Sequence, residues 1–120
     1  MKPQYPGSLI IETSSVCNLN CIMCPQGIGA VDRPMHMDEN IVKKLVPFME
    51  NSHSIQLHGI GEPFLSEGFW EILKYLPPAA DWQTWEQGKC VSSVNTNLTT
   101  LRKEHLEKIL QSNLSIINVS

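Results

Sequence analysis

The sequence lacks any long apolar segment and any concentration of basic charge. Nine Lys and Arg stand against twelve Asp and Glu, a formal net charge of −3. No apolar run approaches the roughly 20 residues of a membrane-spanning helix, and no Lys/Arg cluster offers the electrostatic footprint of a nucleic-acid or anionic-membrane partner. Residues 1–6 contain no apolar core of a secretory signal. We therefore expect a cytoplasmic protein with neither a membrane nor a nucleic-acid partner.

Extremes of composition are also absent. Charged residues make up 18% and hydrophobic residues 42% of the chain, which is ordinary for a soluble globular domain. This balance excludes a disordered, collagen-like or acidic-tail sequence. The length of 120 residues suits one domain.

Short apolar, β-branched segments alternate with amphipathic segments along the chain. Helices are predicted to begin at Asp38, Ser66 and Thr100. The strands are predicted at 9–13, 54–58, 91–96 and 114–119. The order β-α-β-α-β-α-β predicts an α/β fold built from right-handed βαβ units around a parallel sheet. Pro47 is expected to kink or end the first helix, because it cannot donate a hydrogen bond to the carbonyl of Lys43.

Two helical segments carry further expectations. Leu106, Ile109 and Leu110 are expected to face inward from the third helix. Trp82 and Trp85, three residues apart, suggest a short helix packed on the rest of the domain.

The chemically suggestive segments all follow predicted strands. Cys17–Cys24 follows the first strand, Gly59–Pro63 the second and Asn95–Asn97 the end of the third. Because active sites of parallel α/β folds lie at the carboxyl ends of the strands, we expect these segments to meet in one site.

Three of the four cysteines lie within eight residues, at Cys17, Cys21 and Cys24. Thiolates this close on a loop can bind one soft metal centre. Structural zinc sites take four protein ligands, and cubane iron–sulfur clusters normally take four cysteines. Three ligands leave one coordination position open, which is a catalytic arrangement. The alternative is a zinc knuckle completed by His36 or Cys90, although Cys90 is otherwise expected to be a small buried apolar side chain.

The sequence CNLNCIMCP at 17–25, preceded by Ile11-Glu12-Thr13, resembles the signature of the radical S-adenosylmethionine (SAM) superfamily. The resemblance implies that Cys17, Cys21 and Cys24 hold a [4Fe–4S] cluster whose fourth iron binds SAM. It implies reductive cleavage of SAM to a 5′-deoxyadenosyl radical, which abstracts a hydrogen atom from the substrate. An electron donor such as flavodoxin or ferredoxin is implied as a partner. The fold implied is the first half of a partial (β/α) TIM-like barrel.

Residues 59–63, Gly-Ile-Gly-Glu-Pro, are similar to the Gly-Gly-Glu motif of that family, with Ile60 separating the two glycines. The similarity implies contacts to SAM from Gly59, Gly61, Glu62 and Pro63, with Glu62 near the amino group. The alternative for Glu62 is that its carboxylate caps the helix region near Ser66.

Further matches imply additional SAM contacts. Asn95-Thr96-Asn97 resembles the Thr-Asn-Gly turn of the family, with Leu98 in place of the glycine. The remaining implied contacts are Ser120 with the ribose and Met23 with the adenine. For Asn95 and Asn97 the alternative is turn chemistry alone.

The resemblance runs along essentially the whole chain but covers only the front of the family's domain. A full (β/α)₈ barrel takes about 250 residues, and 120 are present. We therefore expect residues 1–120 to be an incomplete radical SAM core domain, with an unknown peptide or small-molecule substrate. The residues around the cysteines are closest to the branch that often carries a SPASM-type domain. The alternatives are a zinc-binding interaction module and a truncated, non-catalytic remnant.

Overall fold

A parallel sheet and the helices that cover it make up the fold. The computed structural model describes residues 4–81 and 88–120, so Trp82 and Trp85 lie outside the described residues. The strands are β1 (Ser8–Ile10), β2 (Ser54–Leu57), β3 (Val91–Thr96) and β4 (Ile116–Val119). The helices are α1 (Glu39–Glu50), α2 (Glu67–Ile72) and α3 (Lys103–Leu110). All strands are parallel, in the order β1-β2-β3-β4, which confirms the predicted α/β architecture.

The hydrophobic core lies between one face of the sheet and the helices. Ile55, Leu57 and Val94 point from the two central strands into this core. Phe69 of α2 and Met49 of α1 pack against them and are fully buried. Burial of each such side chain stabilises the fold by about 1.5–3 kcal/mol. Among the described residues, no helix has both the length and the apolar character needed to cross a bilayer.

Helix α1 begins as predicted but ends later. The Asp38 side chain accepts a hydrogen bond from the backbone N–H of Asn40 at 2.7 Å, which confirms it as the N-cap. Of the two effects expected of Pro47, an end of the helix is wrong, because α1 continues to Glu50, and a kink stays a prediction. Met49 is fully buried beyond the proline, and the Pro47 carbonyl accepts a hydrogen bond from the Asn51 side chain at 2.7 Å. Packing and this bond offset the lost backbone hydrogen bond.

Helices α2 and α3 differ from prediction in detail. Ser66 precedes α2, but its hydroxyl donates to the Thr13 carbonyl at 2.8 Å rather than capping the helix. Helix α3 begins at Lys103, not Thr100. The expected inward face of α3 is wrong for Leu106 and Leu110, which are 46% and 83% exposed. Only Ile109 of the expected set packs against the core. Elsewhere on α3, His105 stacks on Trp70 of α2, with ring centroids 4.2 Å apart.

Candidate functional site

Three loops meet at the carboxyl edge of the sheet. We call them the cysteine loop (residues 12–37), the glycine loop (58–62) and the asparagine loop (97–102). The backbone N–H of Gly61 donates to the Ser14 carbonyl at 3.1 Å, and the N–H of Glu62 donates to the Val16 carbonyl at 2.8 Å. These bonds fasten the glycine loop to the chain just before Cys17, so the predicted convergence of the first two segments is confirmed.

The Glu62 carboxylate joins the glycine loop to the asparagine loop. Its Oε1 accepts hydrogen bonds from Thr96 Oγ1 at 2.6 Å and from the Phe64 N–H at 3.1 Å, and its Oε2 accepts one from the Asn97 N–H at 2.8 Å. The side chain is only 2% exposed. Glu62 caps the 3-10 turn that starts at Pro63, so the capping alternative holds for this turn. Its contact with SAM stays a prediction.

Both glycines of the glycine loop lie in close contact with the chain leaving β1, Gly59 with a side chain and Gly61 with the backbone. A Cβ on Gly59 would lie 2.2 Å from Glu12 Oε1, and a Cβ on Gly61 would lie 2.3 Å from the Ser14 carbonyl oxygen and 2.6 Å from that of Val16. Real Cβ atoms do not approach so closely. Glycine is therefore the residue that lets this loop lie flat against the chain leaving β1.

Two of the three clustered cysteines lie against the other loops. Cys24 Sγ is 3.8 Å from the Ile60 carbonyl oxygen, and Cys17 Sγ is 3.9 Å from Asn97 Nδ2. Cys21 is exposed, and all three are free thiols. The cysteine loop therefore presents the thiols of Cys17 and Cys24 toward the asparagine and glycine loops, at the edge where the site was predicted.

The donor set fits an iron–sulfur cluster by its chemistry. Three thiols lie on one loop and point to a soft metal centre with an open position. Within residues 4–81 and 88–120, no three His, Cys, Asp or Glu side chains are near enough to hold a metal as they stand. To hold a cluster, the thiols of Cys17, Cys21 and Cys24 would have to move closer together than they lie here.

As they stand, neither residue considered as a fourth zinc ligand groups with the clustered cysteines among the described residues. His36 Nδ1 is hydrogen-bonded to Ser14 Oγ at 3.0 Å. Cys90 precedes β3, at the opposite edge of the sheet, and is 1% exposed. Burial raises the pKa of the Cys90 thiol to about 11, so it is the inert buried cysteine that was expected.

Asn97 has the turn chemistry expected as the alternative. Its Oδ1 accepts hydrogen bonds from the Thr99 N–H at 2.9 Å and the Thr99 hydroxyl at 2.7 Å, and its Nδ2 donates to Asn18 Oδ1 at 3.1 Å. Leu98 has a φ of +59°, a left-handed conformation that favours glycine. The backbone at Leu98 thus has the conformation expected of the glycine in the family's Thr-Asn-Gly turn, although the residue is leucine.

The remaining predicted contacts lie at the margins of the three loops. Asn95 is not part of the turn: its Oδ1 accepts a hydrogen bond from Asn118 Nδ2 at 3.0 Å on the open face of the sheet. The backbone N–H of Ser120 donates to the Thr96 carbonyl at 3.1 Å. Met23 is 88% exposed on the cysteine loop. Contacts of these residues with SAM stay predictions.

Comparison with known proteins decides the family. Residues 11–120 match the family model of the radical SAM superfamily. The chain belongs to the radical SAM superfamily. Members of this superfamily use a [4Fe–4S] cluster and SAM, so the resemblance inferred from the cysteines and the glycine loop is confirmed at family level.

Two curated relatives are probable dual-specificity RNA methyltransferases RlmN. The protein from Natranaerobius thermophilus is 29% identical over 97% of this chain and 34% of its own length. The protein from Bacillus licheniformis is 31% identical over 63% of this chain and 22% of its own length. The chain thus spans about a third or less of the relatives that it matches.

Two solved structures of BtrN share the fold. BtrN in complex with AdoMet and 2-DOIA matches with a TM-score of 0.65 at 18% identity, over 99% of this chain and 46% of that chain. Selenomethionine BtrN in an open conformation matches with a TM-score of 0.62 at 18% identity, over 99% and 51%. The parallel sheet is therefore that of a radical SAM fold, consistent with part of a TIM-like barrel.

One residue of the site has no role in the sequence-based interpretation. Glu12 Oε1 accepts a hydrogen bond from the Ile60 N–H at 2.5 Å, and its side chain lies across Gly59. The signal available in the sequence was a charged residue, Glu12, at the end of a predicted strand. In the structure Glu12 is exposed, whereas its neighbours Ile11 and Thr13 are buried. A charged residue at such a position on a strand end is a candidate for function.

Proposed function

We propose that this chain is the N-terminal part of the core domain of a radical SAM enzyme, in which Cys17, Cys21 and Cys24 hold a [4Fe–4S] cluster. The observation that carries the proposal is the meeting of the three loops, with Cys17 and Cys24 against the asparagine and glycine loops. With the cluster bound, the chemistry supplied is reductive cleavage of SAM to a 5′-deoxyadenosyl radical that abstracts hydrogen from the substrate. The electron donor is of the flavodoxin or ferredoxin type.

The residues of the chain bind and orient SAM in this proposal. The glycine loop, from Gly59 through Gly61 to Pro63, approaches the methionine part of SAM with its backbone. Glu62 Oε2 accepts one bond, from Asn97, and a carboxylate oxygen has a second lone pair. That lone pair accepts a hydrogen bond from the SAM ammonium. Asn95 and Asn97 contact SAM beside the glycine loop. Ser120 contacts the ribose of SAM, and Met23 contacts its adenine.

The reaction that follows radical formation belongs to a longer enzyme. Since the chain covers 34% of one relative and 46% of BtrN, we assign residues 1–120 to an incomplete core domain, whose cluster loop is 17–24. Residues outside it supply further substrate contacts, with a SPASM-type domain as the proposed companion. The free thiols at the cluster loop favour a reducing compartment such as the cytoplasm.

Metal content tests the cluster. Reconstituted without oxygen, the chain is expected to bind about four iron and four sulfide ions. Each of the substitutions Cys17→Ser, Cys21→Ser and Cys24→Ser removes one proposed cluster ligand and is expected to abolish stable binding of the cluster. Cys90→Ser is the matched control and is expected to load like the parent, since Cys90 lies at the opposite edge of the sheet. Zinc bound without sulfide would replace the proposal by the interaction-module alternative.

SAM cleavage tests the reaction. The cluster-loaded chain, reduced by dithionite in the presence of SAM, is expected to show a changed electron paramagnetic resonance spectrum and to release 5′-deoxyadenosine. Loading without either change would identify the chain as a non-catalytic remnant.

A further inference from the structure

The sheet has one covered face and one open, polar face. Gln56 pairs with Ser93, and both side chains lie opposite the buried Ile55 and Leu57. One row across the open face is Ile10, Gln56, Ser93 and Ile116. One step toward the carboxyl edge, Asn95 pairs with Asn118, and strand alternation adds Glu12 and His58 to that row. The second row is therefore polar, with Asn95 and Asn118 on their strands and Glu12 and His58 just beyond the carboxyl ends of β1 and β2.

A polar row is unusual at this place in the fold. Parallel sheets are normally apolar on both faces, and the interior of a (β/α) barrel is filled by bulky Val, Ile and Leu side chains. Gln56, Ser93 and Asn95 occupy such interior positions on the central strands. They cannot form a dry core without leaving polar groups unpaired. This face is thus suited to line a cavity that holds a polar ligand.

The hydrogen bonds within the row leave capacity for such a ligand. Asn118 Nδ2 donates to Asn95 Oδ1 at 3.0 Å, and no described residue bonds to Asn95 Nδ2 or to Asn118 Oδ1. His58 Nδ1 has no partner among the described residues. One amide donor and one amide acceptor therefore remain side by side at the carboxyl edge of the sheet.

The formal charge on the two rows is negative. Glu12 is their only carboxylate, and neither row contains Lys or Arg. The Glu12 carboxylate is exposed and holds one described donor, the Ile60 N–H. The carbonyl of the same Ile60 lies 3.8 Å from Cys24 Sγ. The Glu12 carboxylate is thus linked through Ile60 to Cys24, which is a proposed cluster ligand. It lies at the carboxyl edge of the open face.

We propose that this polar face binds the substrate, and that the substrate is a small molecule carrying a protonated amine together with hydroxyl or amide groups. The ammonium pairs with Glu12, and the neutral groups hydrogen-bond to Asn118 and Gln56, beside the SAM contact proposed for Asn95. The inference rests on the proposed function. RNA is disfavoured, because its phosphates would meet Glu12 with no cation on either row and a chain of net charge −3.

Nuclear magnetic resonance on the full chain, cluster-free and with reduced thiols, tests the substrate class. The probes are ethanolamine, ethylene glycol and glycolate, which are similar in size and differ in charge. Ethanolamine is expected to shift the side-chain amide signals of Asn95 and Asn118 and the backbone amide of Ile60. Ethylene glycol is expected to bind more weakly, and glycolate not to bind. Glu12→Gln is expected to weaken ethanolamine binding about three- to fivefold, a typical effect of one exposed ion pair.

Matched controls make the result specific. Glu107→Gln removes an exposed carboxylate from α3 and is expected to leave ethanolamine binding unchanged. Equal affinity for glycolate, unchanged binding in Glu12→Gln, or no shift at Asn95 and Asn118 would each overturn the proposal. Preferential displacement of these signals by a short RNA oligonucleotide would replace it by an RNA substrate. Since these spectra need no cluster, failure of cluster loading would overturn the proposed function separately.

Discussion

The Glu62 carboxylate offers the sharpest test of how the site is assembled, through the change Glu62→Gln. Three donors converge on this buried group: Phe64 and Thr96 on one oxygen and Asn97 on the other. Glutamine has the same shape but replaces one oxygen by an NH₂ group. In either orientation of the amide, that group faces at least one backbone N–H, so one of the three hydrogen bonds is lost.

The size of the effect follows from burial. A hydrogen bond to a charged group contributes about 1.5–3 kcal/mol, and an unsatisfied buried donor costs about 1–3 kcal/mol. We expect Glu62→Gln to lower the free energy of unfolding by about 2 kcal/mol. Thr96→Val removes a donor from the same carboxylate and is expected to have an effect of similar size. Because both changes act on one network, the double variant should lose less than the sum.

Urea denaturation followed by circular dichroism measures this loss. With a denaturant dependence of about 1–3 kcal/mol per molar, a loss of about 2 kcal/mol moves the midpoint by roughly 1 M. The control Glu107→Gln changes an exposed carboxylate and should stay within about 0.5 kcal/mol of the parent. A Glu62→Gln chain as stable as the parent, or strictly additive effects with Thr96→Val, would refute the view that Glu62 holds the two loops together.

Three further predictions concern the glycines and the buried thiol. Gly61→Ala should destabilise the chain by about 1–3 kcal/mol in the same urea assay, because the new Cβ meets backbone carbonyls. Gly59→Ala should cost less, because its Cβ meets the movable carboxylate of Glu12; the opposite ranking would contradict the described packing. At pH 8 iodoacetamide should alkylate the cysteine loop and spare Cys90, as read by peptide mass spectrometry. Since the pKa of Cys90 is raised to about 11, its thiolate is scarce below that pH; equally fast alkylation would contradict its burial.

The sheet was predictable because its signals are local. A short segment with β-branched residues predicted β3 with the bounds that the structure has, Val91–Thr96, and Asp38 marked the start of α1. The errors arise where packing at a distance decides. A buried Met49 carries α1 past Pro47, and Leu110 stays exposed although it lies at helical spacing, because no described element covers it.

The candidate site was predictable in its residue types and not in its hydrogen bonds. Cysteine spacing and the Gly-Glu-Pro segment identified the loops, and the match of residues 11–120 confirms the family that they indicate. The bond between Glu62 and Thr96 joins residues 34 apart in sequence, and no local pattern marks such a pair. Glu12 was overlooked for the same reason, since its partner Ile60 lies on a different loop.

The glycine loop and the cysteine loop differ in how far contacts within the chain order them. The glycine loop is held by Glu12 at Ile60, by the carbonyls of Ser14 and Val16, and by Glu62 through Asn97. A ligand that meets such a loop loses little free energy in ordering it. The thiols of the cysteine loop are not yet grouped as metal ligands within the described residues, so ordering there accompanies metal binding. In the function proposed above, cluster assembly, rather than rearrangement of the glycine loop, is therefore the step that would complete the SAM site.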